Sequence, residues 1–131
     1  LYVPFKNAAL GSGTQVDLDT DTIKVILADS ADYTVNLTTH DFLNDVASGA
    51  RVSTATLASK AISGGAFDSA DPTWTAVTGD VCELVIMFKD TGNEATSPLI
   101  AYYDTFSAGM PITPNGGNIV ATVHASGWFS L

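Results

Sequence analysis

Hydrophobic residues in this chain come in short bursts, and within the bursts they alternate more often than they follow helical spacing. Ile23, Val25 and Leu27 fall on one side of an extended segment, with Thr22 and Lys24 on the other, which predicts a strand over 23–27. Val81 through Phe88 is almost continuously apolar, the pattern of a central strand covered on both faces. Pro98 through Tyr103 reads as the next strand, joined to it across Lys89-Asp90-Thr91-Gly92 as a long hairpin. Shorter strands are expected at Tyr33–Val35, at Leu57–Ile62, on either side of an Asp71-Pro72 turn, at Ile119–His124 and at Trp128–Leu131. One segment has helical character. Phe42, Leu43 and Val46 make an apolar stripe, Thr38 or Thr39 can cap it, Asp41 falls in its first turn and Gly49 stops it, so one short helix is expected near residues 40–47. The opening Leu1-Tyr2-Val3-Pro4-Phe5 is apolar but interrupted by proline, which predicts an extended arm or an edge strand over residues 1–10.

Composition sharpens this picture. Of 14 acidic residues, 12 are Asp and only Glu83 and Glu94 are Glu. Asp competes for local backbone groups and so gathers at turns and caps, whereas Glu suits helix interiors. The 16 Thr residues, β-branched, fit a pleated surface. Short strands with turns every eight to twelve residues predict an all-β, mainly antiparallel fold, a β-sandwich or jelly-roll-like arrangement with one short helix laid on it. The 131 residues form one domain, long enough to fold without a metal or a disulfide.

The net charge of −9, with five scattered basic residues, argues against nucleic acid and against anionic membrane surfaces as partners. No apolar stretch approaches the roughly 20 residues of a membrane-crossing helix. The lone Cys82 sits in the most apolar run, where a buried thiol is expected and no basic neighbour in sequence activates it.

The search for chemistry finds fragments without a constellation. Asp17, Asp19 and Asp21 alternate like the start of a calcium loop, but Thr22 stands where glycine is needed and Ala28 where a bidentate Glu is needed. His40 and His124 are not at zinc-ligand spacing from each other or from Cys82. Glu83 is a single acid inside an apolar run, and a glycosidase needs two. No nucleophile elbow and no phosphate-binding glycine loop is present. The chain is therefore expected not to be an enzyme, with no catalytic residues, no metal and no cofactor.

Several motifs in order carry a resemblance. They are Leu18-Asp19-Thr20-Asp21-Thr22-Ile23-Lys24-Val25, Tyr33-Thr34, His40-Asp41-Phe42-Leu43-Asn44-Asp45-Val46, and Phe67-Asp68-Ser69-Ala70-Asp71-Pro72-Thr73-Trp74. Val85 through Gly92, Ser97 through Asp104 and the terminal Gly127-Trp128-Phe129-Ser130-Leu131 follow. Together they resemble a family of small structural proteins of tailed bacteriophages and prophages, over about residues 17–131. The resemblance implies a virion component made in the bacterial host cytoplasm, and a capsid decoration (cement) protein on the outer surface is the placement it favours. Its expected partners are the major capsid protein and further copies of itself as a homo-oligomer. Leu1, Tyr2, Val3 and Phe5 of the arm are candidate contacts, with completion of the protein's own sheet as the alternative. Trp74 and Trp128 are candidate contacts or core residues. Two further readings stand beside this one. The first is a tail or baseplate component. The second is a carbohydrate-binding β-sandwich for host-surface recognition, whose stacking platform would draw on Trp74, Tyr102, Tyr103 and Trp128.

Overall fold

The computed structural model describes residues 1–106 and 109–131 and shows an all-β, mainly antiparallel, sandwich-like fold with one short α-helix. Its frame is a four-stranded sheet in the order β2 (Arg51–Thr56), β1 (Ile23–Ala28), β6 (Leu84–Lys89), β7 (Leu99–Tyr103). All three pairings are antiparallel, with Val25 opposite Met87 and Ile26 opposite Ile86 at the centre. The hairpin expected between the apolar run and residues 98–103 is present, with a register shift beside Phe88. A three-stranded sheet, β3 (Ala61–Ser63), β4 (Ala66–Asp68), β9 (Phe129–Ser130), and a two-stranded pair, β5 (Thr73–Trp74) with β8 (Ile119–Val120), complete the fold.

The strand at 23–28 is more deeply buried than alternation alone implies. Ile26 and Ala28 are buried together with Ile23, Val25 and Leu27, so β1 is covered on both faces beside the fully apolar β6. The indole N–H of the buried Trp74 donates to the Val25 carbonyl at 3.1 Å, which gives that ring its one polar contact inside the core.

Several expectations are corrected. The first ten residues are not an extended arm. Val3–Ala9 is the α-helix, α1, with Pro4 in its first turn, where a missing N–H costs nothing. Tyr2, Phe5 and Ala8 recur every three residues and turn one face inward, and all three are buried. The Tyr2 N–H donates to the Ile100 carbonyl at 3.0 Å, so the helix entrance covers the outer edge of β7, a common protection for an edge strand. Conversely, the helix expected near 40–47 is only a 3₁₀ turn, Leu43–Asp45, with a second at Ser48–Ala50. Asp45 sets only the entrance of the turn: its Oδ2 accepts from the N–H groups of Asp41 at 2.8 Å and Phe42 at 3.3 Å, a cap that would serve a longer helix equally well. The turn ends where Val46 becomes extended, with ψ of 107°, and the Arg51 guanidinium donates to the carbonyls of Leu43 and Val46 that a continuing helix would use. Tyr33–Val35 and Leu57–Lys60 are likewise not strands, and the edge strand β2 lies earlier in the chain than the pattern suggested.

Candidate functional site

Most residues singled out for contact in the sequence belong to the interior. Tyr2, Phe5 and Trp74 are buried, and Leu1 and Val3 are half-buried against the helix flank. Phe5 meets Phe129 edge-on at 5.8 Å between ring centres, and Tyr2 meets Tyr102 at 6.4 Å. Tyr2, Phe5 and Trp74 complete the protein's own core and are not free to anchor a neighbour, whereas Leu1 and Val3 keep part of their surface exposed. Trp128 is also largely buried, but it borders a surface cleft.

The groups considered for chemistry each have a local task. His40 stacks on Tyr33 with ring centres 5.4 Å apart. Its Nδ1 receives the Asn36 N–H at 3.4 Å, so it acts as acceptor. The Tyr33 hydroxyl then donates to it at 2.9 Å and accepts from the Tyr2 hydroxyl, also at 2.9 Å. Burial and the contact with Tyr33 hold the Tyr2 phenol well above its ordinary pKa, so the chain of hydroxyls is a fixed, uncharged strut. The Glu83 carboxylate accepts the Ser30 N–H at 2.9 Å and ties the end of β1 to the start of β6. Burial, reinforced by the charges of Glu83, Asp29 and Asp80, pushes the Cys82 thiol up to about 11, the reverse of an activated nucleophile.

The alternating Asp17, Asp19 and Asp21 do not converge on a point. Asp17 Oδ1 accepts the N–H groups of Asp19 and Thr20, Asp21 Oδ2 accepts that of Asp17, and Asp21 pairs with Lys89 at 2.8 Å. They form a self-bonded turn leading into β1. The carboxylates that do approach one another are Asp29, Asp32 and Asp80, with oxygens within 4.8 Å. Sequence spacing gave no sign of this, because Asp80 reaches Asp29 only through the pairing of β1 with β6.

A cleft of about 470 Å³ lies where the end of β7 meets the segments around β8 and β9. Tyr103, Phe106 and Trp128 build its aromatic side, with Tyr103 5.3 Å from Trp128 and 6.1 Å from Phe106 between ring centres. Thr105, Thr122 and His124 add polar groups. The Tyr103 hydroxyl donates to the Trp128 carbonyl at 3.0 Å, and the Trp128 indole N–H donates to Ser69 Oγ at 2.8 Å, so both rings are clamped by their polar ends. Gly127 turns the chain with φ of 83° and lies so close to β4 that an added Cβ would sit 2.4 Å from the Phe67 carbonyl oxygen. Glycine is therefore required for the wall to close. Of the four aromatic residues named as a stacking platform, the fold gathers two, Tyr103 and Trp128. Trp74 is in the core, and Tyr102, opposite Ile86, turns to the other face of its strand. Phe106 and His124 were not anticipated here, since only the long-range return of the chain brings them to Tyr103.

A second, smaller cavity of about 270 Å³ lies beside α1 and is bordered by Phe5, Asp41, Phe42 and Pro98. Burial, then the neighbouring Asp45 carboxylate, raises the Asp41 pKa. Among the described residues no helix is long and apolar enough to cross a membrane. No protein-family model matches the chain, and no curated protein matches it.

Proposed function

We infer that this protein is a structural component of a tailed-phage virion, and that its place is the outer surface of the capsid, as a decoration protein that stabilises the shell. The observation carrying this reading is the ordered resemblance over about residues 17–131. Its motif residues coincide with the frame of the fold. Ile23, Val25, Leu43, Val46, Phe67, Trp74, Val85 through Phe88, Leu99 through Ala101 and Trp128 are all buried. The segments that carry the resemblance therefore belong largely to the scaffold, as expected of a structural protein.

Physical suitability supports the same reading. A coat protein needs a stiff body and a matched contact surface, because many weak contacts repeated over a closed shell act together. A net charge of −9 keeps the protein from adhering to packaged nucleic acid. With the N-terminal residues and Trp74 committed to the core, the contact surface moves to the free edge of β3. All three of its residues are exposed, and no strand pairs with its outer edge among the described residues. Ile62 is 55% exposed there, and Leu131, bonded to Gly65 beside the β3–β4 turn, is 69% exposed. Such an edge can take a further strand from a capsid subunit or from another copy.

The test is add-back to particles. Virions lacking the protein should lose heat resistance and regain it when purified protein is supplied, and Ile62→Asp protein should sediment poorly with the shells while remaining folded. Imaging of a labelled copy separates the head from the tail: a label over the whole shell supports decoration, and one spot per particle supports a tail component instead.

A further inference from the structure

The aromatic cleft has a lining whose chemistry differs from the rest of the surface. The chain carries 14 acidic and 5 basic residues, yet none of these lines the cleft. The lining combines aromatic rings with two threonine hydroxyls and one histidine. Its volume falls within the range of about 300–1,000 Å³ typical of small-molecule sites, which are mostly apolar with a few placed polar groups.

The polar groups have spare capacity. The Ser126 N–H donates to His124 Nδ1 at 3.1 Å, so in the neutral ring the proton is on Nε2, a donor with no partner among the described residues. Thr105 Oγ1 donates to Asp104 and keeps acceptor capacity. Tyr103 and Trp128 spend their own polar ends on Trp128 C=O and Ser69, so what they offer to the cleft is carbon.

We propose that this cleft binds a neutral saccharide. A pyranose ring has a C–H face that lies against aromatic carbon and a rim of hydroxyls that both donate and accept. Here Tyr103, Phe106 and Trp128 supply the carbon, and Thr105, Thr122 and His124 supply partners for the hydroxyls. Competing occupants fit less well. An aliphatic peptide side chain would engage the rings alone and gain nothing from the exposed Thr105, Thr122 and His124. A quaternary ammonium group would find aromatic faces and a favourable overall field, but it has no hydrogen-bonding rim and would leave Thr105, Thr122 and His124 unused. An anion would meet neither a cation in the lining nor a favourable field in a chain of charge −9. This inference does not depend on the virion assignment.

The experiment is an amide NMR titration of the full chain with a panel of neutral oligosaccharides, namely cello-, malto- and N-acetylchito-oligomers, with choline chloride and an acetylated leucine-rich peptide as contrasts. At least one saccharide series is expected to give saturable shifts confined to Tyr103–Phe106 and Thr122–Trp128, with a Kd near the millimolar range. Phe106→Ala and Thr122→Val lie at the rim and should keep the dispersed spectrum of the folded protein while weakening binding by about tenfold each. The absence of a saturable shift with every saccharide would overturn the proposal, as would shifts unchanged in both variants. So would saturable binding of choline or the peptide where the sugars fail.

Discussion

Replacing Phe5 by Ala asks whether the first residues belong to the body of the protein or hang from it. Phe5 is 4% exposed and lies edge-on to Phe129, whose ring centre is 5.7 Å from that of Phe67. Removing such a ring forfeits its burial and leaves a cavity, at a cost of about 3–5 kcal/mol. Against a total stability of about 5–15 kcal/mol this is a large share. Unfolding entropy of about 2.1 cal/mol/K per residue converts the loss into a melting-temperature drop of roughly 10–18 °C for a chain of 131 residues. The assay is thermal unfolding by circular dichroism together with urea titration, in which the midpoint should fall at unchanged slope. Lys6→Ala is the control on the same helix, since Lys6 is exposed and its loss should stay within about 0.5 kcal/mol. If Phe5→Ala melts within about 2 °C of the parent, less than the shift expected from 1 kcal/mol, the helix is a tether and its assignment to the core is mistaken.

Three other outcomes follow from local geometry. Gly127→Ala should cost roughly 2–5 kcal/mol, combining the left-handed backbone with the clash at the Phe67 carbonyl. A variant as stable as the parent would show that the cleft wall is looser than described. Asp41→Asn should stabilise the protein at neutral pH. The folded pKa of Asp41 is raised by burial and by Asp45, so its contribution is present below the unfolded value near 3.9 and is lost as pH rises through the folded value. Urea midpoints measured across this window should show the variant gaining on the parent as pH rises, and a gap independent of pH would refute the assignment. Cys82 should resist a disulfide reagent at pH 8 in the folded protein and react at once in urea. Its raised pKa alone lowers the thiolate fraction at pH 8 roughly a hundredfold, and lack of access adds to that. Rapid labelling of native protein would place the thiol at the surface.

Local pattern carried the strands that are both apolar and long. The expected strands at Ile23–Leu27, at Val81–Phe88 and at Pro98–Tyr103 correspond to β1, β6 and β7, because burial on a sheet is what such residues do in any surroundings. The N-terminal helix was hidden by Pro4, read as a strand breaker although proline is equally at home in a first helical turn; the three-residue recurrence of Tyr2, Phe5 and Ala8 was the available signal. Near residue 42 the apolar stripe was real, but the Arg51 guanidinium takes the carbonyls of Leu43 and Val46 that a longer helix would have used, a contact that hydrophobic spacing does not encode. The cleft was legible only in part. Tyr103 and Trp128 were singled out as aromatic, but their meeting with Phe106 and His124 depends on β9 pairing with β4, which sets Phe67 opposite Phe129 from far along the chain. The same long-range closure brings Asp80 to Asp29.

The most direct measurement for the virion assignment is the number of copies of this chain in purified particles, obtained by quantitative mass spectrometry against the major shell subunit. A decoration protein should be present in numbers comparable to that subunit. Particles that contain none of it, or only a few copies that remain with isolated tails, would contradict the account.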